Sequence, residues 1–128
     1  MNPPTDNTPT ALIDRYIAAW NETDGPRRRA LIEQTWTEDA AYIDPMMRGE
    51  GRPGIDAMIQ SVQAQFPGHR FRRTGAVDAH NGYVRFAWEL GPEGAAAMAG
   101  GADFGEIVDG RLHAVTGFLD FAPVAAAQ

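Results

Sequence analysis

Carboxylate and phenol side chains are the groups in this sequence whose types suit chemistry. The chain contains no Cys, and its 11 basic residues other than His are all Arg. This composition excludes thiolate nucleophiles and lysine Schiff bases. Ser61 is the only Ser, and its context Gln60-Ser61-Val62 does not fit the G-x-S-x-G turn of serine hydrolases. Proton transfer by Asp, Glu, His or Tyr is therefore the chemistry to look for.

Asp44 is the first candidate because it follows a short, apolar, strand-like segment, Ala40-Ala41-Tyr42-Ile43. Pro45 favours extended backbone at Asp44 and ends the predicted strand there. At the end of an apolar strand, a carboxylate can project into a dry pocket and act as a general base. An exposed Asp-Pro turn is the other interpretation, and the residues alone leave both open.

Tyr16 and Asp103 are the other two candidates. Tyr16 shares the apolar face of a predicted helix with Leu12, Ile13 and Trp20, and a buried Tyr needs a partner for its hydroxyl. It is either an oxyanion donor or a core residue whose hydroxyl is satisfied. Asp103 lies within a predicted strand of small and apolar residues, so it faces either solvent or a cavity.

The elements that must position these residues are helices first and strands afterwards. Helical spacing of apolar residues predicts helices over about residues 9–22, around Leu31 and Ile32, and from Ile55 to Phe66. Asn81-Gly82 and Asp109-Gly110 are hairpin turns. The predicted strands cover residues 40–44, 70–79, 83–90, 102–108 and 111–121. This order predicts an α+β domain, with three N-terminal helices packed on a curved, mainly antiparallel sheet.

Composition limits the class of protein. A chain of 128 residues, 44% of them hydrophobic, is typical of one domain, with an ordered core over about residues 9–121. The net charge of −6 gives no bulk attraction for nucleic acid or anionic membranes, and we expect Arg27-Arg28-Arg29 to be a solvated helix face. The sequence has no membrane-length apolar run and no secretory pattern in residues 1–10, so we expect a cytoplasmic protein.

The three His residues give weak evidence for a metal site. His69, His80 and His113 are scattered, without the i, i+4 spacing of a helical metal site and without Cys partners. The sequence also lacks a P-loop and a G-x-G-x-x-G fingerprint after a strand. We therefore expect neither a metal nor a cofactor.

Several short motifs together resemble the SnoaL-like branch of the nuclear-transport-factor-2-like superfamily. The motifs are Tyr16-Ile17-Ala18-Ala19-Trp20-Asn21, Trp36-Thr37-Glu38-Asp39-Ala40, Tyr42-Ile43-Asp44-Pro45, Phe66-Pro67-Gly68-His69, Arg85-Phe86-Ala87-Trp88, Asp109-Gly110-Arg111-Leu112 and Gly117-Phe118. The resemblance covers about residues 9–121. It implies a cone-shaped α+β barrel with a deep cavity between helices and sheet, and a homodimer through the outer sheet face.

The resemblance also implies roles for the three candidates. The ketosteroid isomerases of this superfamily carry a proton-shuttling Asp in a matching Asp-Pro element, and an oxyanion Tyr between an Arg and an Ile. Asp44 matches the first, and Tyr16 in Arg15-Tyr16-Ile17 matches the second. Asp103 would then be the protonated acid of the isomerases, which donates to the oxyanion. This predicts a cofactor-free isomerase or aldol-type cyclase that acts next to the carbonyl of a small hydrophobic substrate.

Further residues are expected to line the substrate pocket, with plain core filling as the alternative. They are Trp20, Trp36, Met58, His69, Phe86, Trp88 and Phe118. Two other functions remain open. One is a non-catalytic module that binds a small ligand or another protein. The other is an epoxide hydrolase using Arg85, although strand alternation places Arg85 on the outer face.

Overall fold

The computed structural model describes residues 8–122, which form three helices and one six-stranded sheet. The predicted α+β order of helices and strands is confirmed. The elements are α1 Pro9–Asn21, α2 Gly25–Thr35, β1 Trp36–Ile43, β2 Arg48–Glu50, α3 Gly51–Gln65, β3 His69–His80, β4 Tyr83–Pro92, β5 Ala99–Val108 and β6 Arg111–Phe121.

The sheet is curved and unclosed, with the strand order β2-β1-β6-β5-β4-β3. Neighbouring strands are antiparallel except β1 and β6, which are parallel. The sequence predicted the antiparallel strands β3 to β6 but missed β2, because Gly49 to Gly54 is typical of a loop. This strand is only three residues long, and its register with β1, Ile43 opposite Arg48, depends on the turn at Asp44.

Both hairpin turns have the backbone that their sequences predict. Asn81 and Gly82 have φ of 51° and 82°, and Asp109 and Gly110 have φ of 53° and 78°. Two consecutive residues at positive φ match the twist of the flanking strands, and Asn, Asp and Gly adopt this conformation at the lowest cost. These turns bring β4 beside β3 and β6 beside β5.

The core lies between the helices and the inner face of the sheet. On α1 the buried residues recur at helical spacing, and on β4 they alternate along the strand, as the sequence predicts. Trp36 begins β1 immediately after α2 ends and has no exposed surface. The principal buried side chains are Leu12, Ile13, Tyr16, Trp20, Ile32, Trp36, Tyr42, Ile55, Ile59, Phe86, Leu112 and Val115.

One arginine of the run that was expected to be solvated is buried. Arg28 is 4% exposed, and its guanidinium donates to Asp56 Oδ1, to Gln63 Oε1 and to the backbone oxygen of Glu22. The prediction for Arg28 was wrong because the 100° step between helix positions turns one of three consecutive residues inward. Its charge is tolerated there because these three acceptors satisfy it. The contact joins α2 to α3 and to the end of α1.

The outer face of the sheet carries exposed apolar side chains. Phe104 and Phe118 pack edge-to-face, with ring centroids 5.6 Å apart, and they are 44% and 52% exposed. Phe104 also lines an open groove, together with Tyr83, Arg85 and Thr116. The homodimer implied by the sequence resemblance would use this face, and that remains a prediction. Within the described residues, no helix is long and apolar enough to cross a membrane.

Candidate active site

A cavity of about 370 Å³ lies between α1, α3 and the inner face of the sheet. Each element contributes residues that its local periodicity turns inward, and β1 continues into the turn at Asp44. Most of the lining is apolar or aromatic. The lining residues are Tyr16, Ile17, Trp20, Tyr42, Asp44, Met46, Met47, Ser61, Val62, Gln65, Phe66, Phe71, Trp88, Leu90, Met98, Ala99, Asp103, Leu119 and Ala122.

Asp103 is the buried acid of this cavity, with 3% of its surface exposed. Its Oδ2 accepts a hydrogen bond of 2.6 Å from the Tyr16 hydroxyl, and its Oδ1 accepts one of 2.9 Å from Trp88 Nε1. Burial raises the pKa of Asp103 to about 6, against the opposing effect of these two hydrogen bonds. The negative charge of Asp44 also raises it. Near neutral pH, Asp103 can therefore exist in either protonation state.

Tyr16 is the partner of Asp103 and is 2% exposed. Burial raises the pKa of Tyr16 well above its ordinary value, and the neighbouring charge of Asp103 adds to this effect. The rings of Trp36 and Phe86 pack against it, with centroids 5.6 Å and 5.4 Å away. Tyr16 therefore keeps its proton and can act only as a neutral donor or acceptor. Its hydroxyl is satisfied, and it also faces the cavity.

Asp44 combines both interpretations that the sequence left open. Its Oδ1 accepts hydrogen bonds from the backbone N–H groups of Met46 and Met47, at 2.8 Å and 3.0 Å, which is the pattern of an Asx turn. The same residue is half-buried and lines the cavity. Its Oδ2 accepts a third hydrogen bond, of 2.6 Å, from the Tyr42 hydroxyl. The turn thus fixes the carboxylate at the cavity wall.

Tyr42 belongs to this site, although the sequence reasoning did not select it. It is 4% exposed and lies two residues before Asp44, so both side chains point to the same face of the extended chain. That i, i+2 spacing was a usable signal. Burial is the main reason why the pKa of Tyr42 lies above its ordinary value. The charge of Asp103 and the hydrogen bond to Asp44 raise this pKa further. Tyr42 is therefore a second neutral phenol in the cavity.

Gly117 allows the two Tyr–Asp pairs to converge. It lies opposite Asp103 in the register of β5 and β6. A Cβ atom on Gly117 would lie 2.9 Å from Asp103 Oδ1, 2.9 Å from the Tyr42 hydroxyl and 3.2 Å from Asp44 Cβ. A side chain at this position would push these groups apart, because such close contacts are rarely tolerated. The missing Cβ is thus a requirement of the site, and the sequence reasoning did not identify it.

The structure separates five of the residues that were expected to line the pocket into two groups. Trp20 and Trp88 line the cavity. Trp36, Met58 and Phe86 are buried in the core and lie outside the lining. All five point inward, so local periodicity could not distinguish a residue that ends at the cavity from one that fills the core.

His69 and Phe118 are also outside the lining. His69 lies at the start of β3, where its Nδ1 is 3.0 Å from the backbone oxygen of Pro67 and its ring packs on Phe66. Phe118 follows Gly117 on β6, so strand alternation turns it to the outer face. The turn at residues 67–68 therefore directs the His69 ring away from the acids, and the alternation of side chains along β6 does the same for the Phe118 ring.

Positive charge is missing from the described lining of the cavity, which contains no Arg and no His. Arg85 lies on the outer face, where it pairs with Asp78. An epoxide hydrolase that uses an Asp–Arg–Asp set needs an arginine beside its acids, and Arg85 does not meet this need. In residues 8–122, no group of three or more His, Asp and Glu side chains is arranged to hold a metal ion.

Comparison with known proteins places the chain in a family. The family model of the SnoaL-like domain matches residues 13–115. A candidate isomerase of the SnoaL-like family from Agrobacterium tumefaciens is 44% identical, with 85% of this chain and 94% of that chain covered and a TM-score of 0.81. No match was found among curated proteins.

Two more distant structures share the fold. A candidate ketosteroid isomerase from Kribbella flavida is 24% identical, with 88% of this chain and 78% of that chain covered and a TM-score of 0.66. A candidate polyketide cyclase from Sinorhizobium meliloti is 16% identical, with coverage of 83% and 92% and a TM-score of 0.67. From the family match and the Agrobacterium relative, we conclude that this chain belongs to the SnoaL-like family.

Proposed function

We propose that this chain is a cofactor-free acid–base enzyme that moves a proton next to the carbonyl group of a small, uncharged, apolar substrate, as an isomerase or an aldol-type cyclase does. One observation carries the proposal. Asp44 and Asp103 line the same apolar cavity, and each is hydrogen-bonded to a buried tyrosine. The Agrobacterium relative, named as a candidate isomerase, supports the same class of reaction.

Asp44 is the base in this proposal. A carboxylate has about four lone-pair positions, two on each oxygen. The backbone N–H groups of Met46 and Met47 occupy Oδ1, and the Tyr42 hydroxyl occupies one position of Oδ2. One position on Oδ2 remains to accept a proton from the carbon next to the substrate carbonyl. The turn holds the group still, so little reorganisation precedes the transfer.

The Tyr16–Asp103 pair is the acid. A proton abstracted next to a carbonyl leaves negative charge on the oxygen, and donors fixed in a dry cavity stabilise that charge. Asp103 with a pKa of about 6 is partly protonated near neutral pH. An apolar substrate that displaces water favours the neutral acid further, because desolvation penalises the carboxylate. In that state, the pair can share its protons with the enolate oxygen.

The charge of the cavity limits the substrate class. Two carboxylates face the cavity, and the described lining offers no cation to a substrate carboxylate or phosphate. Anionic substrates would bring like charges together in a medium of low dielectric constant. The aromatic wall of Trp20, Phe71 and Trp88 instead suits an uncharged ring or alkyl group. We therefore expect neutral hydrophobic ketones as substrates.

Deuterium exchange tests the proposal without knowledge of the natural substrate. A panel of hydrophobic ketones in heavy water is followed by NMR. We expect the protein to accelerate exchange next to the carbonyl of at least one ketone. Asp44→Asn should reduce that rate by on the order of 10³, because the amide keeps the shape but cannot accept the proton. The matched control is Asp39→Asn, which removes the same charge at an exposed position on β1.

Two results of the exchange experiment would contradict the proposal. If no ketone exchanges while the cavity still binds uncharged apolar ligands, the protein is a non-catalytic binding module. If exchange occurs and survives Asp44→Asn unchanged, another group is the base.

A further inference from the structure

Tyr42 is the one acidic or phenolic group of the cavity that the proposed reaction leaves without a role. Its hydroxyl donates to Asp44 Oδ2 at 2.6 Å. The same oxygen and Asp103 Oδ1 each lie 2.9 Å from the position that a Gly117 Cβ would occupy. One phenol therefore stands between the proposed base and the proposed acid.

The hydrogen bonds of Asp44 decide which of its oxygens can react. Oδ1 holds the backbone N–H groups of Met46 and Met47, so its lone pairs are occupied. The vacant position is on Oδ2, the oxygen that binds Tyr42. A proton taken from the substrate therefore binds to Oδ2, the same oxygen that accepts the hydrogen bond from the Tyr42 hydroxyl. Protonation removes the charge that makes this hydrogen bond strong, because bonds to ionised acceptors are about twice as strong as neutral ones.

We propose that Tyr42 is a further catalytic residue, a hydrogen-bond switch that turns from Asp44 to the carbonyl oxygen of the substrate as the proton is transferred. The inference rests on the proposed function. In this step the C–H bond breaks and its electron pair forms the C=C bond of the enolate. The carbonyl π pair moves onto oxygen, and the proton forms an O–H bond on Asp44 Oδ2. Tyr42 keeps its own proton and donates a hydrogen bond to the negatively charged oxygen of the enolate.

Gly117 lets Tyr42 and Asp103 approach the same part of the cavity wall. A Cβ at this position would lie 2.9 Å from both the Tyr42 hydroxyl and Asp103 Oδ1. In this proposal, a substrate oxygen that enters from the cavity beside these groups accepts from Tyr42 and lies close to the Tyr16–Asp103 pair. Protonation of Asp44 does not change the hydrogen bond of Tyr16, because its hydroxyl donates to Asp103, which is not the acceptor of the substrate proton. The two tyrosines should therefore respond differently when Asp44 becomes neutral.

A binding experiment on neutralised Asp44 tests the switch without turnover. The probe is 4-nitrophenol, a planar molecule whose oxygen resembles that of an enol, and its absorbance reports binding. Asp44→Asn presents a neutral amide in place of the neutral acid. In this background, Tyr42→Phe should raise the Kd by about tenfold, because a donor to the probe oxygen is lost. With Asp44 intact, Tyr42→Phe should change the Kd less than about twofold, because the ionised carboxylate retains the hydroxyl.

Tyr83→Phe in the same Asp44→Asn background is the matched control. It removes the hydroxyl of a phenol that is exposed on the outer face of the sheet, so the Kd for 4-nitrophenol should not change. Circular dichroism and the Tm establish that each variant is folded. A kinetic measurement adds an independent readout: Tyr42→Phe should lower kcat for ketone exchange by on the order of 10² while KM changes little, because the contact forms only as charge develops.

The outcomes separate this inference from the proposed function. Equal Kd values for Asp44→Asn with and without Tyr42→Phe would overturn the switch, as would a failure of the Asp44→Asn protein to bind the probe. Neither result would affect exchange by the unmodified protein. Conversely, an absence of ketone exchange would overturn the proposed function even if the binding data showed that Tyr42 donates to the probe.

Discussion

The two Tyr–Asp pairs of the cavity have the same donor–acceptor distance, 2.6 Å, but different surroundings. Asp103 is buried, and its carboxylate accepts hydrogen bonds from two side chains, the Tyr16 hydroxyl and the Trp88 indole N–H. Asp44 is half-buried and is held by two backbone N–H groups in addition to Tyr42. A short hydrogen bond from tyrosine therefore does not by itself define what a carboxylate can do. Burial and the remaining donors determine its role.

This difference suits a division of labour. Burial raises the pKa of Asp103 to about 6, so near neutrality this residue can hold a proton for the substrate oxygen. Asp44 is fixed by its turn and has one open position towards the cavity, so it can receive a proton. Two carboxylates in different environments are a general way to place an acid and a base in one site. Variants of Tyr16, Asp103 and Trp88 test whether the two carboxylates differ in this way.

Among the variants of the Tyr16–Asp103 pair and its neighbour Trp88, loss of the Tyr16 hydroxyl should have the largest effect on the rate. Tyr16→Phe removes one donor from the pair that stabilises the enolate, and such a loss typically slows the chemical step by on the order of 10². The matched control is Tyr83→Phe, because Tyr83 is exposed on the outer face of the sheet. The measurement is kcat for ketone exchange. Equal rates for the two variants would remove Tyr16 from the mechanism.

The raised pKa of Asp103 should appear as a dependence of stability on pH. The folded protein binds this proton with a pKa of about 6, whereas the ordinary pKa of an Asp side chain is 3.8. This contribution to stability is fully present below pH 3.8 and is lost as the pH rises to about 6, so the charged form costs about 3 kcal/mol.

Asp103→Asn removes that cost and should stabilise the protein above pH 6. The amide oxygen of the variant can accept from Trp88 Nε1 and its NH2 group can donate to the Tyr16 oxygen, so a hydrogen bond is kept to both neighbours. Denaturant unfolding at several pH values measures the difference in free energy of unfolding from the unmodified protein. A difference that does not change between about pH 4 and about pH 7 would show that Asp103 does not titrate in this range.

A smaller effect is expected at Trp88. Its indole N–H lowers the pKa of Asp103 by stabilising the carboxylate. Trp88→Phe removes this donor while keeping an aromatic ring, so the pKa of Asp103 should rise further. Carboxyl-carbon NMR titration of the variant and of the unmodified protein checks this. An unchanged or lower pKa would mean that the indole contact does not tune the acid.

The sequence predicted the order of the elements because the signals for them are local. Helical spacing placed Tyr16 on the inner face of α1, and the Asn81-Gly82 and Asp109-Gly110 pairs indicated the hairpins that bring Asp103 over the inner face. Asp44 was also identified, since a proline after an apolar strand marks the position where the strand ends. Each of these inferences needed only neighbouring residues.

Other features of the site depend on contacts between distant segments. The parallel pairing of β1 with β6, which brings Tyr42 next to Gly117, has no signature in either strand alone. For the same reason, the sequence could not separate Trp88, which reaches the cavity, from Phe86, which fills the core. Tyr42 is the exception. Its i, i+2 relation to Asp44 was visible, and it would have been selected by asking which side chains share a face with the candidate base.

The pH dependence of ketone exchange tests the division of labour most directly. The measurement is kcat/KM, corrected for uncatalysed exchange, for the unmodified protein and for Asp103→Asn from about pH 5 to about pH 8. If protonated Asp103 is the acid, the rate of the unmodified protein falls as the pH rises through about 6, and Asp103→Asn abolishes that fall because its amide remains a donor. A rate that instead rises through about pH 6 and is lost in Asp103→Asn would make Asp103 the base and contradict the assignment of Asp44.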